Sequence, residues 1–300
     1  VTPARHDSLT AFLVGMSGIA LFSGMDAVMK GLVLAIGTFA TMFWRNLIGI
    51  GLSGSFYLRP GMPAPSASTL RLHIARGVLS TLMGFLFFWA LGRVPLAQAI
   101  ALSFIAPLIA LFLAAALLHE EVGRRTVIAS LAAFAGVVVI FVGQARADLG
   151  REALLGSLAV LGSAVCYAVN IIMMRKQSLV ASPAEAAFFQ ATVVTATLAC
   201  FIPIAGIAVP PLNQWPWLVL AAILAVASSS LLTWAYARAE ASYLAATEYT
   251  AFLWASLFGW LIYREAVSLF TVAGAALIVG GCIAGARRPG ESAPRLEAAI

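Results

Sequence analysis

The sequence predicts an all-α integral membrane protein of ten transmembrane helices, built as two inverted-topology five-helix repeats. Three observations lead there: an apolar composition, ten apolar runs of spanning length, and a long segment that recurs at a fixed offset. Of 300 residues, 62% are hydrophobic and 10% charged, with a mean hydropathy of +0.99. A soluble domain carries roughly 45–50% apolar and about 25% charged residues. One aqueous core cannot hide this surplus, so the lipid bilayer is the expected solvent for most of the chain. The net charge of +6 does not imply nucleic acid, because the basic residues stand singly between apolar runs, as membrane-flanking charges do.

A spanning helix needs about 20 mostly apolar residues. Runs of that length lie at 9–30, 38–58, 72–91, 95–118, 126–144, 154–174, 184–204, 215–237, 241–263 and 268–286. Turn or charge signals separate them, among them "RPGMPAPSAST", "GRVP", "HEEVGRR", "QARADLGRE", "VPPLNQ" and "YREAVS". The first run lacks a small-residue cleavage site and reads as a retained span. Connections this short make neighbouring helices antiparallel, and none holds a soluble domain. On the side of the N-terminus stand Arg5, Arg59, Arg71, Arg76, Arg124, Arg125, Arg175, Lys176, Arg238, Arg287, Arg288 and Arg295; the other side has Lys30, Arg93, Arg146, Arg151 and Arg264. That asymmetry puts both termini of a multi-pass membrane protein in the cytoplasm.

The segment 86–127 can be laid without gaps on 231–272. Leu86, Trp89, Ala90, Arg93, Leu108, Ala110, Glu120, Val122, Thr126 and Val127 then meet identical residues. The register runs back to "FWR" at 43–45 over "FFQ" at 188–190 and, shifted by one, to "GIALFSGMD" at 18–26 over "GSAVCYAVN" at 162–170. The expected units are residues 1–145, and 146–300 with a short cytoplasmic tail. Five helices per unit is an odd number, so the second copy enters the membrane from the opposite side. That inverted repeat is the plan of secondary transporters, with the substrate site near the midplane between the halves.

Ten helices in two five-helix copies, Pro107 thirteen residues before Glu120 in "HE", and "EYTAFLWASLFGWLIYREA" in the second half together resemble the EamA-type drug/metabolite transporter superfamily. Phe252 stands where that family's proline is expected in the second copy. Within the superfamily the chain is most similar to YddG-type aromatic amino acid exporters. The resemblance implies alternating access and export of small metabolites, amino acids with aromatic or other apolar side chains first. The alternative is another small organic metabolite, such as a nucleobase, a vitamin or a drug-like cation. It also implies a central cavity lined by helices 1, 3, 4, 6, 8 and 9. Phe22, Phe85, Trp89, Phe104, Tyr167, Trp234 and Tyr249 fall on those helices, either as cavity walls or as packing against neighbours. Ser230 joins the cavity candidates, although the run Ser228–Ser230 also reads as packing.

Polar groups inside a span face protein or a wet cavity. Glu248 shares a helical face with Ala251, Ala255 and Gly259, a small-residue stripe repeated as Ala106, Ala110 and Ala114 with Ser103 at the glutamate's position. Glu248 is therefore expected to point inward, as a structural carboxylate or as the group that meets a substrate ammonium or a proton. Asp26 and Arg45 are expected to touch each other near the external ends of helices one and two, as an ion pair, a gate or a ligand site, with Lys30 one turn from Asp26; Asp26 and its counterpart Asn170 also count among the cavity candidates. Their counterparts Asn170 and Gln190 should touch within the second repeat. Glu120 and Glu265 should support the N-termini of helices five and ten, and Gly281 and Gly285 should pack helix ten closely.

Cys166, Cys200 and Cys282 sit apart in apolar runs, without metal or disulfide spacing, and read as small buried hydrophobes. No metal and no cofactor are expected. The partners are a small-molecule substrate, the bilayer and, as a coupling ion left open, the proton; the chain is expected to be a monomer or a weak dimer. "GMSG" at 15–18 has the GxSG form of an intramembrane serine protease, but His6, His73 and His119 lie at a tail or at helix ends, where none serves as base. There is no GxxxxGK[ST] for an ATP-driven pump, and no continuous polar stripe for a channel.

Overall fold

The structure is a computed structural model that describes residues 5–59, 64–106, 108–110, 113, 124–146, 150–236 and 247–286. The described residues contain helices and no strand. The ten principal helices are α1 (Arg5–Ile36), α2 (Thr38–Tyr57), α3 (Ala67–Leu91), α4 (Leu96–Ser103), α5 (Arg124–Arg146), α6 (Gly150–Ser178), α7 (Pro183–Ala199), α8 (Trp215–Tyr236), α9 (Ala251–Tyr263) and α10 (Leu269–Ala286). Each falls on one of the ten apolar runs. α1, α3, α6 and α8 are long and apolar enough to cross a membrane by themselves; α4 and α9 are shorter in their described parts for a reason given below.

The ends follow local chemistry. Gly37 reverses the chain between α1 and α2 with φ +81, a conformation that costs a residue with a Cβ. Ser66 caps α3 by accepting from Thr69 N at 3.2 Å. Ser182, followed by Pro183, caps α7 through Glu185 N at 3.2 Å. Ser268 caps α10 through Thr271 N at 3.0 Å, so the support expected there from Glu265 comes from a serine instead. Each cap satisfies an amide that the first helical turn leaves open, a need lipid does not meet.

The packing shows the two-fold plan. α1 lies on α8 as α6 lies on α3, while α2 on α7, α4 on α9 and α5 on α10 are pairs that map onto themselves when five is added to each helix number. α5 and α10 touch backbone to backbone: a Cβ on Gly136 would stand 2.6 Å from the Gly274 carbonyl, and one on Gly274 would stand 2.6 Å from the Gly136 carbonyl. This close approach uses Gly136 and Gly274; of the expected Gly281–Gly285 pair, the surroundings of Gly285 lie outside the described residues. The tightest part of the core surrounds the start of α4. Leu96 to Leu102 are all buried, packed with Met25, Met29 and Leu32 of α1 and Ala255 of α9.

Candidate functional site

The two halves meet where α4 and α9 lose their regular hydrogen bonding. After Ser103 the ladder tightens to three-residue spacing, with Ile105 N to Leu102 O at 3.4 Å and Leu108 N to Ile105 O at 3.1 Å. Residue 107 is a proline, which has no amide hydrogen to continue the ladder. In the second half Thr250 N donates to Thr247 O at 3.0 Å and Phe252 N to Tyr249 O at 3.3 Å. Ile105 and Thr250 are repeat mates, so the break recurs at the same place even though Phe252 replaces the proline. Discontinuous helices at matched positions of inverted repeats mark transporter binding sites. At this point Phe104 and its mate Tyr249 meet edge to face, ring centroids 5.5 Å apart.

The break also adjoins Glu248. A continuous helix would align it with Ala255 and Gly259, which are buried; Glu248 itself, beside the tightened turn at 249–250, is solvent-exposed. Tyr167 of α6 lies in electrostatic range of both Glu248 and Arg76. Arg76, counted in the sequence with the cytoplasmic flanking charges, sits well inside α3. It donates from Nε to Asn170 Oδ1 at 3.0 Å and from its terminal nitrogen to Gln177 Oε1. Ser80 also reaches Asn170 Oδ1, at 3.5 Å. Asn170 therefore serves the opposite half, and its expected partner Gln190 is not the group on its carbonyl.

Gln177 carries the network further. Since its oxygen receives Arg76, its Nε2 faces His73 Nδ1 at 2.5 Å, which leaves His73 Nε2 to donate to Glu185 at 2.9 Å. His73 is buried and stacks on Phe189, centroids 4.6 Å apart. Among the described residues the ion pairs are Lys30–Glu265, His73–Glu185 and Arg93–Glu152. The Arg76 guanidinium is held by neutral amides and by no carboxylate.

The opposite end of the bundle is clamped. Lys30 does not serve Asp26: it pairs with Glu265 and donates to Val94 O at 2.7 Å. Glu265 also accepts from Leu96 N at 2.8 Å, placing a negative charge on the positive end of α4. The left-handed Arg264, φ 57, turns the chain so that Glu265 reaches back across α9. Tyr263 adds a bond to Ala27 O at 2.5 Å. Helix α1 extends to Ile36, so Asp26 lies ten residues from its end, deeper than the sequence placed it. Asp26 is 1% exposed. It is in electrostatic range of Arg45 but makes no ion pair with it, and among the described residues neither carboxylate oxygen has a hydrogen-bond partner.

The other candidates separate. Phe22, Tyr167, Trp234 and Ser230 are exposed, while Phe85 and Ser103 are half-buried. Ser230 donates to Val226 O at 2.8 Å and Ser103 to Ala99 O at 2.9 Å. Trp89 lies 3.5 Å under the Arg93 guanidinium, and Arg93 reaches Glu152 at 2.8 Å, so this aromatic belongs to the clamped end. Trp215 meets Trp44 edge to face, centroids 5.3 Å apart, and donates to Pro210 O at 3.2 Å. Cys200 is exposed and Cys166 half-buried, against the expectation of buried thiols. Ser17 donates to Leu13 O at 2.9 Å and His73 is engaged by Glu185, so no serine–histidine pair forms among the described residues. Glu120, Pro107, Ala114 and His119 lie outside the described residues, as do the side chains of His6 and Cys282.

These features have a counterpart in known proteins. The EamA-like transporter family matches residues 9–142 and again 154–284. The chain belongs to the EamA family. Two matches, one in each half, give the EamA fold its two copies. Among EamA relatives, the chain is 27% identical over 266 residues to the pseudopaline exporter CntI of Pseudomonas aeruginosa, covering 88% of this chain and 91% of that protein. It is 28% identical over 286 residues to a riboflavin transporter of Rhizobium johnstonii, covering 94% and 92%. It is 25% identical over 286 residues to an S-adenosylmethionine uptake transporter of Rickettsia bellii, covering 91% and 94%. A solved crystal structure shares the fold at a TM-score of 0.60 and 23% identity, over 92% of this chain and 97% of that one. The chain is thus an EamA-type membrane transporter of small metabolites.

Proposed function

We propose that this EamA protein exports small amphoteric metabolites, aromatic and other apolar amino acids first, across the bacterial inner membrane by alternating access. The observation that carries the reading is the contact of Phe104 with Tyr249 at the two helix breaks, together with Tyr167 in electrostatic range of both Arg76 and Glu248. Aromatic walls with a few convergent polar groups suit a flat solute with a polar end. The uncompensated Arg76 suits its carboxylate and Glu248 its ammonium. Phe22, Phe85, Trp234 and Asn170 complete the proposed lining, with Ser103 and Ser230 at its edge. With both termini cytoplasmic, the Lys30–Glu265 clamp closes the external end, and the exposed Trp234 and Glu248 belong to the open one.

A second reading, a carrier for another flat metabolite such as a vitamin, is favoured by the named relatives, which include a riboflavin transporter. Purified protein in proteoliposomes distinguishes the two. Counterflow of labelled L-phenylalanine, abolished in Glu248→Gln and in Arg76→Gln, is the expected result. Movement of riboflavin without L-phenylalanine overturns the amino acid reading, and movement of neither overturns both.

A further inference from the structure

The carboxylate of Asp26 is the most anomalous group in the described structure. It lies on α1, 1% exposed, with both oxygens lacking any donor. Three further polar atoms share this condition: Ser23 Oγ, one turn before it on α1, Ser228 Oγ on α8 and Trp254 Nε1 on α9. Both α8 and α9 pack directly on α1.

The repeat explains why donors are missing. Asn170, the mate of Asp26, receives Arg76 and Ser80 of α3. The positions of α8 that correspond to Arg76 and Ser80 are Ala221 and Ala225. The second copy thus supplies its polar group with a cation and a hydroxyl, while the corresponding positions of the first copy carry only methyl side chains. The surrounding charges do not restore what is absent. From α2 Arg45 acts at a distance without contact. On α9 the Tyr263 hydroxyl is bound to Ala27 O, and Glu265 is bound to Lys30, the cation on Asp26's own helix. From α3, α4 and α8 no described titratable side chain acts on it. An ionised carboxylate without a donor costs several kcal/mol even after relaxation. A neutral carboxyl group avoids that cost.

We infer that Asp26 is the site that takes up and releases the coupling proton, making this protein a proton-coupled carrier. In the conformation described here Asp26 holds the proton, and α1, α8 and α9 close around it. When α1 moves against α8 and α9, water reaches the group, the carboxyl O–H bond breaks, and the proton passes to that water. The carboxylate left behind is stabilised by hydration and by Arg45. Uptake of a proton from water reverses the step, and one proton crosses per cycle. The inference rests on the transporter class of the chain and not on its substrate, and it moves the proton-carrying role from Glu248 to Asp26.

The test has two arms. Infrared pH titration of the purified full chain reads the protonated carboxyl group directly. The expected signal persists at neutral pH in the wild type and in Glu248→Gln, and disappears in Asp26→Asn, which installs the residue the second repeat already uses. A signal unchanged by Asp26→Asn overturns the inference. In proteoliposomes with L-phenylalanine or riboflavin as the probe, a gradient of about one pH unit supports about tenfold accumulation at one proton per substrate. Asp26→Asn should lose that accumulation and keep counterflow. Accumulation equal to the wild type, or driven by a sodium gradient instead, overturns it. If neither probe moves, the proposed substrates are wrong, and the infrared arm decides the fate of Asp26.

Discussion

Lys30 and Glu265 stand 235 positions apart in the chain, yet they form a direct ion pair between α1 and the turn after α9. Sequence reasoning joined Lys30 to Asp26 because one helical turn separates them; a partner on another helix leaves no local trace. The intramembrane charges themselves were legible from composition, since each interrupts an apolar run, but their pairing was set by tertiary contact. Glu248 shows a related limit: helical periodicity put it in line with the buried Ala255 and Gly259, and the irregular turn at 249–250, which leaves it solvent-exposed, has no signal in its own segment. Removing one member of a buried ion pair costs about 3–5 kcal/mol, and replacing both with apolar groups is close to neutral. Lys30→Met should therefore lower the thermal unfolding midpoint of the detergent-purified protein by several degrees, and Lys30→Met with Glu265→Leu should recover most of it. A single variant that melts with the wild type would show that the clamp contributes nothing to stability.

Helices were the most readable level. Every apolar run holds its helix, with α2 and α10 within one residue of expectation, because a backbone in lipid must bond to itself. The breaks in α4 and α9 were half-visible. Pro107 announces the first, while the second has no proline and shows only through the repeat. The glycine contact of α5 with α10 was missed, since small residues are common in such helices and only the crossing selects Gly136 and Gly274. A Cβ there meets a carbonyl at 2.6 Å, and overpacking of this kind costs about 1–3 kcal/mol. Gly136→Val is expected to reduce the yield of folded protein and its melting temperature, while Gly280→Val, at a position with open space around it, leaves both unchanged. Equal behaviour of the two would refute the backbone contact. Loss of the α7 cap in Ser182→Ala should cost about 1 kcal/mol, read as a smaller drop in the same melting curve.

At the scale of the molecule, the inverted repeat was legible because paired Trp, Arg and Glu kept one offset, and it led to the fold without any contact being known. Orientation makes a separate prediction. Cys200 follows α7 and is exposed, so with cytoplasmic termini it faces outward. A membrane-impermeant maleimide added to spheroplasts should label the wild type and not Cys200→Ser; labelling only after the membrane is opened would invert the topology. The contact of Phe104 with Tyr249 has one more consequence. When two copies of a fold trade conformations, each contact between them is replaced by the contact of the corresponding residues. A pair made of corresponding residues is replaced by itself. Phe104 and Tyr249 are such a pair, so under the proposed alternating access their touch would act as a fulcrum, kept while Lys30 parts from Glu265 and the bundle tilts from one side to the other.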